Sequence, residues 1–304
     1  MKFEIKLQEE NTLREKIKNN IDEIKDCGEI RVFGPLGDSD FICLKQITGT
    51  KGFVKSLDIA NTDGLTVVDR YTFEEGNILS SVKLPSSVEK LGWGAFCMSD
   101  RLTNVSMPST IEAIDNYAFN GCSSLKSITL PSKLAVLGNQ SFGDCPKLEE
   151  IKIASTNKTF STTNGILYSR NGEVLIKYPA GKTDIKFVID NDIQIIHENA
   201  FFMCENLLDV VLSNNLKKIG KEAFCSCTGI QHIVIPASTT HIGTDAFKNC
   251  KSLIEISIES ENPPAYLPSD DELILPIRIY VPSKSLEKYK NDEGWGKFTR
   301  IFGK

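Results

Sequence analysis

Residues 122–145 read CSSLKSITLPSKLAVLGNQSFGDC, and close variants of this stretch return along most of the chain at a period of 23 residues. Each copy is centred on a phenylalanine that follows a small or hydroxyl side chain. The seven phenylalanines are Phe73, Phe96, Phe119, Phe142, Phe201, Phe224 and Phe247. A fixed period of roughly 20–29 residues is typical of solenoids, whose stacked coils share one core. The repeat therefore predicts an array of coils and argues against a buried active site.

Within one copy, the order of apolar residues predicts the course of a coil. Leu125–Leu130 matches the strand segment of a leucine-rich repeat, and Pro131 ends that strand because proline cannot extend a ladder. Leu134–Gly138 turns the chain, with glycine suited to a tight turn. Ser141–Cys145 has the spacing of one helical turn with Phe and Cys inward. We therefore predict an α/β solenoid: a right-handed leucine-rich repeat array with a parallel sheet along one face and short helical turns.

The register breaks once, between Phe142 and Phe201, which are 59 residues apart. Apolar segments flank Asn171-Gly172, the strongest short hairpin signal. The sequence predicts an insertion at about residues 154–186 that contains a β-hairpin.

Both ends depart from the repeat, as the caps of a solenoid must. We expect an N-terminal cap over residues 1–50, the repeats over 51–262 and a C-terminal cap over 263–304. Thr12-x-x-Glu15 predicts a capping box for an amphipathic helix that closes near Gly28. Further expected elements are a strand around Ile30–Phe33, a short helix after Asp40, a strand at Arg278–Val281, a helix at Ser285–Lys290, and apolar cover from Trp295, Phe298 and Ile301.

Five of the nine cysteines lie three residues after an anchor aromatic position. They are Cys122, Cys145, Cys204, Cys227 and Cys250. One shared structural position predicts a ladder of small buried side chains, which is how thiols behave in cores. Stacked coils would bring their Cα atoms to about 5 Å, within the range of disulfides. Because the side chains point the same way, we expect them to stay reduced.

These residues resemble the BspA-type leucine-rich repeats of bacterial surface proteins. The family pattern is similar to C-x-x-L-x-x-I-x-L-P-x-x-v-x-x-I-G-x-x-A-F-x-x-C, which Cys122–Cys145 nearly reproduces, and the resemblance covers roughly residues 65 to 262. It implies a non-catalytic binding scaffold, often attached to the cell surface and used for adhesion, with no catalytic residues to transfer. Departures include Thr239 at an apolar position and Ala154, Asp190 and Ser213 at proline positions.

Composition narrows the class of partner. The net charge is −5 with interspersed signs, so no footprint for a polyanion appears and nucleic acid is disfavoured. No apolar run reaches the roughly 18 residues of a membrane span, and the N-terminus lacks the apolar region of a secretory signal. We expect a protein at the cell surface or extracytoplasmic if a leader has been removed, and cytoplasmic otherwise. A monomer or weak oligomer is expected.

A search for chemistry finds no motif that predicts catalytic, cofactor-binding or metal-binding residues, and we expect no enzyme activity and no cofactor. The histidines His197, His232 and His241 lack metal-site spacing. Cys225-x-Cys227 lacks the C-x-x-C spacing, and Gly181-Lys182-Thr183 lacks the first glycine of a phosphate-binding loop. Asp270–Glu272 is expected in a solvated loop rather than at calcium. Two glycosylation sequons, at Asn104 and Asn157, are weak evidence.

Alternation along the strands identifies the side chains that should face solvent. They are Ser81, Lys83, Asn104, Ser106, Ser127, Thr129, Glu150, Lys152, Asp209, Val211, His232, Val234, Glu255 and Ser257. The sheet face is the usual binding surface of solenoids, so these residues are the candidate partner-binding face. They include no aromatic platform, which favours a protein partner, from a host or a bacterial surface, over carbohydrate. The alternatives are a structural spacer or stalk without its own ligand and, less favoured, an enzyme. The hairpin around Asn171 is a second candidate location.

Overall fold

The structure is a computed structural model that describes residues 2–68, 72–74, 78–273 and 276–304. The chain forms two compact units, Met1–Phe160 and Ser161–Lys304, and each is described by itself.

The first unit contains three helices and two sets of short strands. The helices are α1 (Leu13–Asn19), α2 (Ile21–Cys27) and α3 (Asp38–Thr48). The strands are β1 (Phe3–Lys6), β2 (Glu29–Pro35), β3 (Ser56–Asp63), β4 (Val67–Val68), β5 (Ser81–Lys83), β6 (Lys90–Leu91), β7 (Asn104–Ser106), β8 (Ala113–Ile114), β9 (Ser127–Leu130), β10 (Val136–Leu137) and β11 (Glu150–Ile153).

Parallel strands make up both sheets of this unit, as in leucine-rich repeat proteins. One sheet has the order β1-β2-β3-β5-β7, with the parallel pair β9-β11 beside β7. The other has the order β4-β6-β8-β10. Ser81 pairs with Asn104, and Ser127 with Glu150, so equivalent residues of successive repeats face each other. The N-terminal cap thus adds three strands to the same sheet, of which β1 was not predicted.

The second unit begins with an inserted segment and continues with the same coils. Its strands are β12 (Phe160–Thr163), β13 (Ile166–Ser169), β14 (Val174–Lys177), β15 (Lys186–Val188), β16 (Ile195–Ile196), β17 (Asp209–Val211), β18 (Lys218–Ile219), β19 (His232–Ile235), β20 (His241–Ile242), β21 (Glu255–Ile258), β22 (Arg278–Val281) and β23 (Ile301–Gly303). The α-helices are α4 (Asp270–Leu273) and α5 (Leu286–Lys290), and two 3₁₀ turns cover Ser283–Ser285 and Trp295–Lys297.

The predicted hairpin around Asn171 is confirmed. Strands β13 and β14 pair antiparallel, and Gly172 at their turn has a φ of 76°. A second antiparallel neighbour, β12, precedes a turn at Asn164-Gly165, where both residues have positive φ. Asn-Gly is the same hairpin signal, so this turn was also visible in the sequence. Strand β14 then pairs parallel with β16, which joins the insertion to the regular coils.

The anchor phenylalanines stack into a column of rings in each unit, and all seven are buried. In the first unit the centroids from Phe73 to Phe142 are 5.0, 5.2 and 5.7 Å apart. In the second unit Tyr178 starts the column at 5.3 Å from Phe201. Aromatic pairs at this separation contribute beyond their burial, so the column is the main apolar element of each core.

The predicted helical turn around each phenylalanine is wrong. The backbone N–H of Phe96 donates to the carbonyl of Ala118 in the next coil (2.7 Å), and Phe224 donates likewise to Ala246 (2.8 Å). Because these N–H groups bond between coils, they are not available to an i−4 carbonyl. Residues two before and two after most anchors have positive φ, for example Gln140 at 51° and Asp144 at 47°. The segment is a pair of tight turns.

The repeated glycines serve close approach rather than unusual dihedral angles. Gly138 and Gly220 have ordinary φ, but a Cβ at either would lie within 2.3–2.5 Å of a backbone nitrogen in the preceding coil. The expected tight-turn role is therefore replaced by contact between neighbouring backbones.

The capping box predicted at Thr12 is also wrong, since the Thr12 hydroxyl donates to Glu9 instead. The carboxylate of buried Asp40 accepts from the backbone N–H of Leu13 (2.9 Å) and Asn11 (2.7 Å). The helix breaks at Asn20 into α1 and α2 and ends at Gly28, whose φ is 62°. The cap thus comes from α3, a helix that begins at Asp38 rather than after Asp40.

The ladder cysteines are buried thiols with a common partner. The Sγ of Cys122 points to the carbonyl of Phe96 (3.2 Å), Cys227 to Phe201 (3.0 Å) and Cys250 to Phe224 (3.1 Å). Ser99 fills the same position in an earlier coil and donates to Phe73 at 2.7 Å. Each thiol therefore binds a carbonyl of the preceding coil rather than another sulfur.

We expect the ladder cysteines to resist alkylation in the folded protein at pH 8. Burial raises the pKa of Cys204 and Cys250 to about 12, so few thiolates form there, and the sulfurs are also out of reach. Half-exposed Cys27 is the internal control and should be modified. Mass spectrometry after iodoacetamide, before and after unfolding without reductant, checks this. Modification of Cys204 as fast as Cys27 in the folded protein would contradict it.

Candidate binding face

The outward strand residues of the first unit lie where alternation places them. All eight are at least partly exposed. Six of them line one groove with a volume of about 700 Å³: Lys83, Asn104, Ser106, Ser127, Thr129 and Lys152. Hydroxyl and amide groups form its floor, and a lysine stands on each outer strand.

Charges on this face are partly paired within the sheet. Buried Asp58 lies 3.1 Å from the Nε of Arg31 and 3.8 Å from the Nζ of Lys83. Arg31 also faces Glu4 at 3.6 Å, so an ion ladder crosses strands β1, β2, β3 and β5. Lys152 lies 2.8 Å from Glu150 on its own strand. The first unit therefore offers a polar groove with donors already held in place.

In the second unit, five of the six predicted residues face outward. Val211 and Val234 are 41% and 49% exposed, and Asp209, His232 and Glu255 lie on the same face. Ser257 was predicted to face solvent but is only 8% exposed. Its short side chain lies between Val234 and Tyr280 in the sheet register, and its hydroxyl donates to Glu255 at 3.4 Å.

Several residues on this face were missed. Lys186 and Val188 on β15 pair with Asp209 and Val211. Arg278 and Tyr280 on β22 pair with Glu255 and Ser257. Beyond them Phe302 on β23 pairs with Tyr280, with ring centroids 5.5 Å apart. Alternation in β15 and β22 could have identified the first four, and the expectation of no aromatic group on the face is wrong.

The hairpin bears a separate polar cleft of about 450 Å³, the second candidate location. Its lining is Asn171, Glu173, Asn191, Asp192, Gln194, Asn215 and Lys217. Glu173 accepts from Asn171 (2.6 Å) and Gln194 (3.1 Å), so part of its polarity is used within the cleft.

The other motifs take structural positions. Glu272, expected in a solvated loop, is a buried residue of α4. Asn157 is also buried and donates to the carbonyls of Ser132 and Leu134 (both 2.9 Å), so this sequon cannot present its amide to a glycosylating enzyme. Cys225 and Cys227 are buried. Over residues 2–68, 72–74, 78–273 and 276–304, no group of three metal-ligating side chains comes together.

Within the same described ranges, no helix has both the length and the apolar character needed to cross a bilayer.

The repeats match the sequence profile of the BspA type leucine rich repeat region, in six copies over residues 51–164 and 182–263. The fold is similar to that of the pneumococcal vaccine antigen PcpA, with 19% identity, a TM-score of 0.65, and 90% of this chain and 78% of that chain covered. A leucine-rich repeat protein from Eubacterium ventriosum is 22% identical with a TM-score of 0.63, covering 82% and 72%. A leucine-rich cell surface protein from Faecalibacterium prausnitzii is 22% identical with a TM-score of 0.60, covering 84% and 73%. No curated protein matches the chain.

Proposed function

The chain belongs to the BspA-type leucine-rich repeat family, and from that premise we propose that it is a non-catalytic scaffold that holds a protein partner on the outward face of its parallel strands. Leucine-rich repeat proteins are generally non-enzymatic protein-binding scaffolds. The observation that carries the proposal is the exposed face itself. Core positions repeat from coil to coil, whereas the outward positions change from hydroxyl and amide in the first unit to valine, acid and aromatic in the second.

The proposal includes a bacterial cell-surface or extracytoplasmic location and a role in adhesion or recognition. Support comes from the family and from a similar structure that is named as a cell surface protein. The right-handed sense of the coils, and the division into a cap over residues 1–50, repeats over 51–262 and a cap over 263–304, belong to the same proposal.

Immobilised protein, incubated with host matrix proteins and with bacterial surface extracts, tests the function. Three paired variants locate the site: Asn104→Arg with Ser127→Arg, Val211→Asp with Val234→Asp, and Asn171→Ala with Glu173→Ala. We expect at least one sheet-face pair to weaken a captured partner about 10-fold or more, because a charge or a bulky side chain disrupts a packed interface. The hairpin pair should have little effect. A partner that is held equally well by both sheet-face variants would overturn the sheet face as the site, and failure to capture any partner would favour a structural spacer.

A further inference from the structure

Exposed apolar side chains form a continuous line across the sheet of the second unit. We call Val188, Val211, Val234, Tyr280 and Phe302 the apolar row. Val188 pairs with Val211, and Val234 is linked through Ser257 to Tyr280 and then to Phe302, with β17 lying beside β19. Val188 is 59% exposed and Phe302 43% exposed. Soluble proteins seldom leave such lines uncovered without a binding role.

The charged row beside it largely neutralises itself. The Nζ of Lys186 lies 2.6 Å from the carboxylate of Asp209, and His232 lies 4.0 Å from Glu255. Arg278 ends this row, and among the described residues it makes no ion pair. A complementary partner therefore needs an apolar ridge and one carboxylate at the end near Arg278.

The order of charges argues against a second copy of the chain as the occupant. Along the row the residues are Lys186, Asp209, His232, Glu255 and Arg278, so the signs are symmetric about His232. In a two-fold pairing centred on β19, Lys186 would face Arg278 and Asp209 would face Glu255. Like charges placed opposite each other cost free energy, which disfavours this pairing.

The spacing of the row favours a helix over an extended segment. Successive strands lie about 4.8 Å apart, and a helix presents one ridge residue per turn of about 5.4 Å. An extended chain that runs along the row repeats its same-face side chains every ~6.7 Å, so the mismatch grows quickly. The four strand steps from Val188 to Tyr280 span about 19 Å, which a helix of about 13 residues covers.

We infer that the apolar row binds an amphipathic helix of a partner protein, with an acidic residue of that helix at Arg278. This inference rests on the proposed function and specifies the partner's form. Apolar burial supplies most of the attraction in this mode of recognition, and Tyr280 with Phe302 provides the aromatic anchor at one end.

The test uses displayed libraries of 18-residue segments as the probe. One library has apolar residues at helical spacing, and the other has the same composition with strict alternation. We expect binders from the helical library, with an acidic residue enriched near one end. Val211→Asp with Val234→Asp should weaken them at least 10-fold, and Arg278→Gln about 3–10-fold with loss of the acidic preference. Val136→Asp, an exposed position in the first unit, is the matched control and should change nothing.

Binders that come mainly from the alternating library, or that bind the Val211→Asp/Val234→Asp variant unchanged, would overturn the inference. So would concentration-dependent association of the wild-type chain that this variant abolishes, because a second copy would then occupy the row. Circular dichroism of each variant confirms folding. A captured natural partner that depends on Asn104 and Ser127 but not on the apolar row would overturn the helix and leave the proposed function standing.

Discussion

Replacement of Phe224 by alanine is expected to lower the free energy of unfolding of the second unit by about 3–5 kcal/mol. The ring is fully buried and has neighbours on both sides, with centroids 4.8 Å from Phe201 and 5.8 Å from Phe247. The substitution removes the burial of the ring and two stacking contacts, and a rigid column leaves a cavity that cannot collapse fully. Because the stability of a repeat array depends on contacts between neighbouring coils, the loss also weakens both adjacent repeats.

The two tryptophans provide a separate signal for each unit. Trp93 lies in the first unit and Trp295 in the second, where it is fully buried, so Trp93→Phe leaves fluorescence from the second unit alone. Guanidinium unfolding of Phe224→Ala in that background measures the change. Phe302→Ala is the control, since it removes the same side chain from an exposed position, and it should cost less than about 1 kcal/mol. Equal losses for the two variants would show that the column does not stabilise the unit.

The repeated core was predictable because it is written in the sequence at one period. A phenylalanine every 23 residues implies a column of rings, and an apolar residue at alternate strand positions implies an inward face. The local hydrogen bonds were not predictable in the same way. Spacing of three between Phe and Cys fits a helical turn, but the N–H groups there bond to the next coil, a choice that only the stacked structure determines.

The binding face was predictable where regular repeats continue and was missed where they end. Lys186 and Val188 lie in the insertion, and Arg278, Tyr280 and Phe302 lie beyond the last phenylalanine, so no repeat marks them as strand residues. Contacts distant in sequence explain the other errors. Asp40 caps a helix that starts 27 residues earlier, and no local pattern announces such a partner.

The C-terminal end of the coils shows the same limit and gives the second large effect. In regular coils the N–H groups of the anchor phenylalanine and of the residue two before it donate to carbonyls of the next coil, as Phe224 does to Ala246 and Glu222 to Thr244. The last anchor, Phe247, donates to the carboxylate of Glu272 at 3.0 Å, and Asp245 donates to it at 3.2 Å. One buried side chain therefore replaces two backbone acceptors that a further coil would supply.

Glu272→Gln is expected to destabilise the second unit by about 2–4 kcal/mol, because it removes acceptors from buried donors. The carboxylate also accepts from the Tyr266 hydroxyl (2.7 Å) and the Ser269 N–H (3.0 Å), so four donors surround two oxygens. Burial raises the pKa of Glu272, and these donors are what offset the cost of keeping it charged. In the variant, the amide NH₂ would face N–H and O–H donors with nothing to accept its hydrogens.

Asp271→Asn is the matched control for this prediction, since it changes the neighbouring acid of the same helix. Asp271 is exposed and pairs only with Lys248 on the surface, at 2.8 Å, so its loss should cost less than about 1 kcal/mol. Guanidinium unfolding followed by Trp295 fluorescence compares the two variants. A Glu272→Gln protein as stable as Asp271→Asn would mean that water satisfies the end of the coils. A large, specific loss would instead identify Glu272 as the residue that terminates the repeats, since it satisfies the donors that would otherwise require another coil.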